Sequence, residues 1–129
     1  MDNTYNPIDW LKQKAKLIRR DVLTSLSEAG SGHSGGSLGL ADIFTVLYFH
    51  KLRQRADEPL WEGRDRLILS IGHVAPVLYA ALAHAGFFPV DELKTLRKLG
   101  SRLQGHPGRD HGLPGLELSA GSLGQGLSV

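Results

Sequence analysis

The sequence has 129 residues and a mass of 14.0 kDa, a size that predicts one domain. With 41% apolar and 22% charged residues, it has the composition of a folded globular protein rather than a disordered tail. The absence of cysteine excludes disulfides and thiolate metal sites, and a net charge of +2 is too small for a nucleic-acid-binding surface.

The N-terminal part of the sequence predicts one long amphipathic helix. Residues 1–5 lack the basic and apolar regions of a secretory signal, so we expect a cytoplasmic protein without a membrane anchor. Asn6 is a suitable N-cap and Pro7 a suitable first helical residue. Apolar residues then recur at steps of three and four up to Ala29, and Gly30 is a suitable stop.

Two further helices are predicted to be buried on nearly all sides. Ser37 is positioned to cap a helix over residues 38–49, in which apolar side chains cover most of the circumference. Residues 74–85 are almost entirely apolar and end at Gly86. A single domain of this size has difficulty covering both helices, so we expect part of their surface to stay exposed in the isolated chain.

The other segments predict short strands, one more helix and loops. Residues 66–70 are a short apolar run of the kind that forms a buried parallel strand, and residues 116–119 are a possible second strand. Residues 90–99 predict an amphipathic helix with an acidic start and a basic end. Ser122 is expected to cap a last helix, of which only the beginning is present. This alternation of helix and strand predicts the α/β class.

Three of the six histidines directly follow a glycine: His33, His73 and His106. Imidazole donates and accepts hydrogen bonds and titrates near physiological pH, and a preceding glycine lets the backbone come close to a ligand. We interpret the three histidines as parts of one ligand site. Zinc binding is the competing interpretation, but the wide spacing of the histidines fits no compact zinc motif.

The other three histidines receive structural interpretations. His84 lies on a predicted buried helix and is expected to be a core or interface residue with a satisfied hydrogen bond. His50 ends a helix, where a partly positive imidazole suits the helix dipole. His111 lies in a loop and is a candidate for a minor contact in the ligand site.

Residues 121–126, Gly-Ser-Leu-Gly-Gln-Gly, form a glycine-rich turn that precedes the last predicted helix. They match neither the dinucleotide-binding glycine pattern nor the P-loop. Bare backbone N–H groups at a helix start nevertheless favour an anion or a cofactor that approaches closely. The turn is therefore a second candidate for ligand binding.

Four stretches, taken in order, resemble the N-terminal thiamine-diphosphate-binding part of transketolase, especially the split, two-subunit form. They are residues 31–39, 65–73, 105–107 and 114–126. The resemblance implies an incomplete three-layer α/β/α domain with a parallel sheet and a helix-rich N-terminal part, truncated at its C-terminal end. It also implies transfer of a two-carbon ketol unit from a ketose phosphate to an aldose phosphate, in the pentose phosphate pathway, with thiamine diphosphate as cofactor.

The resemblance assigns roles to particular residues of this chain. As catalytic residues, His33 and His106 would face the substrate hydroxyls and the reacting carbon. Cofactor contacts would come from one histidine and the glycine-rich turn: His73, Gly121, Ser122 and Leu123. It places no metal ligand in this chain, because a Gly-Asp-Gly segment that holds Mg²⁺ would follow Val129.

The resemblance also implies partners outside these residues. The glutamate that activates the cofactor belongs to a second domain or a C-terminal subunit, so we expect a homo- or hetero-oligomer and an inactive isolated chain. Sugar phosphates are the expected substrates, with no nucleic-acid or membrane partner. Two alternatives stay open: a related enzyme for another sugar, and a non-catalytic fragment or assembly partner.

Overall fold

Three α-helices form the framework of the computed structural model, which describes residues 7–129. Helix α1 spans Pro7–Ala29, α2 spans Gly35–Val46 and α3 spans Ala75–His84. The first helix ends where predicted, since Gly30 follows it with a φ of +64° that favours glycine. The predicted cap at Asn6 lies outside the described residues.

Helix α2 differs from its prediction at both ends. It begins at Gly35 instead of residue 38 and continues into a π-helical turn, Leu47–Lys51. Ser37 is therefore not the cap: it lies inside the helix, fully buried, and its hydroxyl has no hydrogen-bond partner within the described chain. Ile43 and Val46 stay exposed, so the expected incomplete covering of this helix is confirmed.

Helix α3 is the centre of the core, as its apolar composition predicts, but the expectation that part of its surface stays exposed is wrong. Every residue from Ala75 to Ala83 is buried, and the helix packs against both α1 and α2. Helix α1 contributes Ile18 and Val22 to this core, and α2 contributes Phe44. Each fully buried side chain of this size stabilises the fold by about 1.5–3 kcal/mol.

The predicted α/β sheet is not formed by residues 7–129: the segments 66–70 and 116–119 are both irregular there. Contacts that involve residues flanking the two segments connect this part of the chain instead. Arg64 donates two hydrogen bonds to Glu117, at 2.7 and 3.0 Å, and Ser70 accepts hydrogen bonds from the glycine-rich turn. A strand needs a continuous ladder of backbone hydrogen bonds, and end contacts do not supply one.

The remaining regular elements in residues 7–129 are short 3₁₀ turns: Gly72–Val74, Val90–Thr95, Arg109–His111 and Gln125–Leu127. The helix predicted over residues 90–99 is therefore wrong beyond Thr95, where Arg97 turns the chain with a φ of +60°. The helix predicted from Ser122 is also not formed, because Gly124 has a φ of +79° and only a 3₁₀ turn follows. No helix within the described part of the chain is long and apolar enough to cross a membrane.

A buried hydrogen bond and a surface ion pair connect the helices to one another. His84 Nε2 on α3 lies 2.7 Å from Asp21 Oδ2 on α1, and each side chain is only 10% exposed. This contact is the hydrogen bond expected for His84 as a core residue. On the surface, Arg19 donates two hydrogen bonds to Asp42 on α2, which lower the pKa of that carboxyl.

Candidate functional site

The three histidines that follow glycines lie in one cluster. The centre of the His73 ring is 5.1 Å from that of His33 and 4.9 Å from that of His106, with interplanar angles of 59° and 85°. His73 is the central member, and the other two rings lie against it. Residues far apart in the sequence are thus brought to one place, where they line a small cleft together.

Two helix starts lie next to this cluster. His33 lies two residues before the beginning of α2, and His73 lies in the 3₁₀ turn that leads into α3. The N-terminus of a helix carries partial positive charge on its free backbone N–H groups. The cluster therefore lies where the backbone favours an anionic or strongly polar ligand.

Gly72 allows two other segments to come close to the cluster. A Cβ atom at this position would lie 2.8 Å from His106 Cδ2 and 3.1 Å from the carbonyl of Ala120. A Cβ atom there would therefore displace the His106 ring and press against the Ala120 carbonyl, and glycine avoids both contacts. The backbone N–H of Ala120 also donates a hydrogen bond to the Pro107 carbonyl at 3.0 Å, so the glycine-rich turn begins beside His106.

The glycine-rich turn is anchored at its far end by Ser70. The Gly126 N–H donates to Ser70 Oγ at 2.7 Å, and the Gly124 N–H donates to the Ser70 carbonyl at 3.3 Å. The residues of the turn that precede Gly124 are exposed: Gly121, Ser122 and Leu123. Leu123 keeps 67% of its surface accessible, so it is available to an apolar group of a ligand.

Within residues 7–129, no group of three or more histidine, aspartate or glutamate side chains is arranged to hold a metal ion. The histidine cluster therefore does not offer a metal site by its geometry, and zinc binding gains no support. His111 shares an open cleft with His106 and Arg97, and its role as a minor contact in the ligand site stays a prediction. His50 is exposed in the π-helical turn that ends α2.

Two residues near the cluster were not singled out by the sequence. Tyr79 on α3 donates a hydrogen bond of 2.8 Å to the Gln104 carbonyl, two residues before His106. Burial raises the pKa of the Tyr79 phenol, which keeps it protonated as a donor. In the sequence Tyr79 is indistinguishable from the apolar core around it. The second residue, Arg97, lines two clefts that His106 also lines.

Replacing Tyr79 with phenylalanine is expected to lower the free energy of unfolding by about 1 kcal/mol, because the hydrogen bond to Gln104 is lost. Tyr48→Phe is the matched control, since the buried Tyr48 hydroxyl has no hydrogen-bond partner within the described chain. Urea denaturation of the complete protein measures both changes. Equal destabilisation by the two substitutions would contradict a role for the Tyr79 hydroxyl.

The amino-acid sequence is similar to those of known proteins over nearly its whole length. Residues 11–129 match the family described as transketolase, thiamine diphosphate binding domain. A transketolase family protein of Sinorhizobium fredii is 46% identical over 92% of this chain, which covers 42% of that relative. A 6-deoxy-6-sulfo-D-fructose transketolase subunit of Clostridium is 42% identical over the same share, which covers 43% of the subunit.

The solved structures that resemble this chain are also transketolases. A transketolase from Leishmania mexicana superimposes with a TM-score of 0.86 at 36% identity, over 92% of this chain and 18% of that one. The Pichia stipitis transketolase in complex with sedoheptulose 7-phosphate gives a TM-score of 0.85 at 37% identity, over 91% of this chain and 17% of that one. The chain thus spans less than half the length of each of these proteins.

Proposed function

The chain belongs to the transketolase family, in its thiamine diphosphate binding domain, and from this premise we propose that the complete protein transfers a two-carbon ketol unit from a ketose phosphate to an aldose phosphate. Residues 1–129 are the N-terminal part of the cofactor-binding domain in this proposal. The observation that carries it is the meeting of His33, His73 and His106 beside an exposed glycine-rich turn.

His33 and His106 have the role of catalytic residues on the substrate side. They are the outer members of the cluster and both are exposed, whereas His73 is partly buried between them. An imidazole with a free nitrogen can hydrogen-bond a sugar hydroxyl and hold or accept its proton. Two such groups a short distance apart would orient a polyhydroxylated substrate, which is the positioning that a transfer reaction needs.

The residues beside the cluster fit thiamine diphosphate. Gly121 has no atom near the position of a Cβ, so its backbone is open to a ligand, and Leu123 offers an apolar surface. Ser122 lies between them, and His73 would contact the diphosphate side. When bound, thiamine diphosphate supplies the carbanion chemistry of ketol transfer. Mg²⁺ would offset the diphosphate charge through residues of the complete protein outside this chain.

The relatives support the proposal that this chain acts together with a further subunit or domain. The Clostridium relative is named as a subunit, and the chain covers 43% of it but only 18% of the Leishmania transketolase. We propose that a C-terminal subunit or domain completes the active site, in a dimeric or larger cytoplasmic enzyme of the pentose phosphate pathway. Residues 1–129 alone would then be inactive.

A second candidate function uses the same site for another sugar. The Clostridium relative is named for 6-deoxy-6-sulfo-D-fructose, a sugar that carries a sulfonate instead of a phosphate. At 42% identity it is about as similar to this chain as the transketolases of mammals, which are 42–44% identical. Identity alone therefore does not separate the two substrate classes.

The complete protein, with its partner subunit if it is split, tests the proposal directly. We expect ketol transfer from sedoheptulose 7-phosphate to an aldose phosphate when thiamine diphosphate and Mg²⁺ are present, and none when the cofactor is left out. Parallel assays with 6-deoxy-6-sulfo-D-fructose as the donor test the second candidate function, which predicts ketol transfer from this sugar. Tight cofactor binding without transfer from either donor would favour the non-catalytic alternative.

A further inference from the structure

Arg64 and Glu117 form a buried ion pair between two segments that are far apart in the sequence. The Arg64 guanidinium donates hydrogen bonds of 2.7 and 3.0 Å to the two Glu117 carboxylate oxygens, and a third of 2.9 Å to the Trp61 carbonyl. The two side chains are only 10% and 8% exposed. Every other arginine or lysine ion pair within residues 7–129 has at least one side chain that is more than a third exposed.

A buried ion pair of this kind fixes geometry more than it adds stability. Removing two charges from water opposes folding about as strongly as their attraction favours it, so apolar replacements of similar volume are often equally stable. The planar guanidinium, however, meets a carboxylate through two parallel hydrogen bonds, which set the relative orientation of the two groups. The pair therefore determines where Glu117 lies relative to Arg64.

The Arg64 end of the pair belongs to a loop that is closed at its base. The Asp65 N–H donates to the Arg53 carbonyl at 2.9 Å, and the Arg53 N–H donates to Asp65 Oδ2 at 2.8 Å. Arg53 lies two residues after the π-helical turn that continues α2. Arg64 is thereby attached to the helical framework and is a fixed point for Glu117.

The Glu117 end of the pair leads into the glycine-rich turn. Two residues further on, Ser119 Oγ accepts a hydrogen bond from the Arg109 N–H, and the Ser119 carbonyl accepts one from the Gln125 side chain, both at 2.8 Å. Residues 116–119 have no regular secondary structure, so no backbone ladder fixes their register. A shift by one residue would displace the turn by roughly 3.3–3.6 Å. The side-chain contacts, with the buried ion pair foremost, therefore hold the turn in place.

We propose that Arg64 and Glu117 are positioning residues, which fix the register of the glycine-rich turn and so set the affinity for thiamine diphosphate without touching it. This inference rests on the proposed function, which assigns the cofactor to the turn. Two clefts lie beside Glu117, and neither includes a residue of the turn 121–126 or one of the three clustered histidines. The pair therefore acts through the segment that joins Glu117 to the turn.

The test separates stability from cofactor affinity in the complete protein. Arg64→Met alone leaves the Glu117 carboxylate buried without its partner, so the melting temperature should fall. Adding Glu117→Leu removes that charge and should return the melting temperature close to wild type, whereas the Kd for thiamine diphosphate with Mg²⁺ should stay raised about tenfold or more. Arg64→Lys keeps the charge but not the two parallel hydrogen bonds, so its Kd should lie between wild type and the double variant.

The matched control is the double variant Arg19→Met with Asp42→Leu. Arg19 also donates two hydrogen bonds to one carboxylate, but this pair joins α1 to α2 and does not lead into the turn. Its Kd should equal that of the wild type. Hydrogen exchange of a peptide that spans residues 119–126 adds a measurement that needs no cofactor. The amides of this peptide should exchange faster in the double variant of Arg64 and Glu117, and at the wild-type rate in the control.

A wild-type Kd in the double variant of Arg64 and Glu117 would overturn the inference, and so would a raised Kd that accompanies a lowered melting temperature. If this variant does not fold, Arg64→Lys decides: a raised Kd at the wild-type melting temperature supports the positioning role, and a wild-type Kd overturns it.

Failure of the proposed function gives a different result. A wild-type protein that binds the cofactor but transfers no ketol unit contradicts the proposed reaction and leaves the comparison of Kd values valid. If the wild-type protein binds no thiamine diphosphate, the proposed function fails by itself, and hydrogen exchange decides about the pair. Faster exchange of residues 119–126 in the double variant then supports the fixed register, and unchanged exchange overturns it.

Discussion

Replacing Leu123 with aspartate in the complete protein is expected to raise the Kd for thiamine diphosphate at least about 100-fold, or roughly 2.7 kcal/mol. The substitution removes the apolar surface that Leu123 offers within the turn and places a negative charge next to an anionic cofactor. Leu123→Ala, which only removes the apolar surface, should cost at most about 1–3 kcal/mol. Calorimetry with cofactor and Mg²⁺ measures both changes.

The control for this experiment is Leu60→Asp. Leu60 is a leucine of similar exposure, at 75% against 67% for Leu123, but it belongs to the loop that follows α2 and lines a different cleft. Its replacement should leave cofactor affinity close to wild type. Normal binding of thiamine diphosphate by Leu123→Asp would mean that Leu123 is ordinary surface and has no contact with the cofactor.

Replacing His33 or His106 with alanine is expected to lower kcat/KM by roughly 5- to 150-fold, the loss of about 1–3 kcal/mol of hydrogen bonding to the substrate. Cofactor affinity should change little, because the proposed cofactor contacts are His73 and the glycine-rich turn. Steady-state kinetics with a ketose phosphate donor, together with a cofactor titration, separates the two effects.

His111→Ala is a suitable comparison, since His111 shares the open cleft with His106 but lies outside the ring cluster. It should show a smaller loss than either cluster residue. Wild-type kinetics in both His33→Ala and His106→Ala would remove these residues from the substrate side of the site.

The sequence by itself determined the extent of α1, the core position of α3 and the identity of the three histidines that meet. Helix α1 was predictable to its last residue, because its apolar period and the stop at Gly30 are local features. The burial of α3 followed from its uniformly apolar composition. The Gly-His context also picked out the three histidines that the structure brings together, because glycine and imidazole carry their chemical meaning without any knowledge of the fold.

Only the tertiary structure decided the arrangement around these elements. An apolar run such as residues 66–70 becomes a strand only if a neighbour supplies a hydrogen-bond ladder, and residues 116–119 are joined to it only through flanking contacts. Likewise, nothing local marks Tyr79 as the support of the Gln104 carbonyl, or Arg97 as the arginine beside the histidines. Those roles depend on which segments meet in space, and that depends on long-range packing, which a local pattern does not encode.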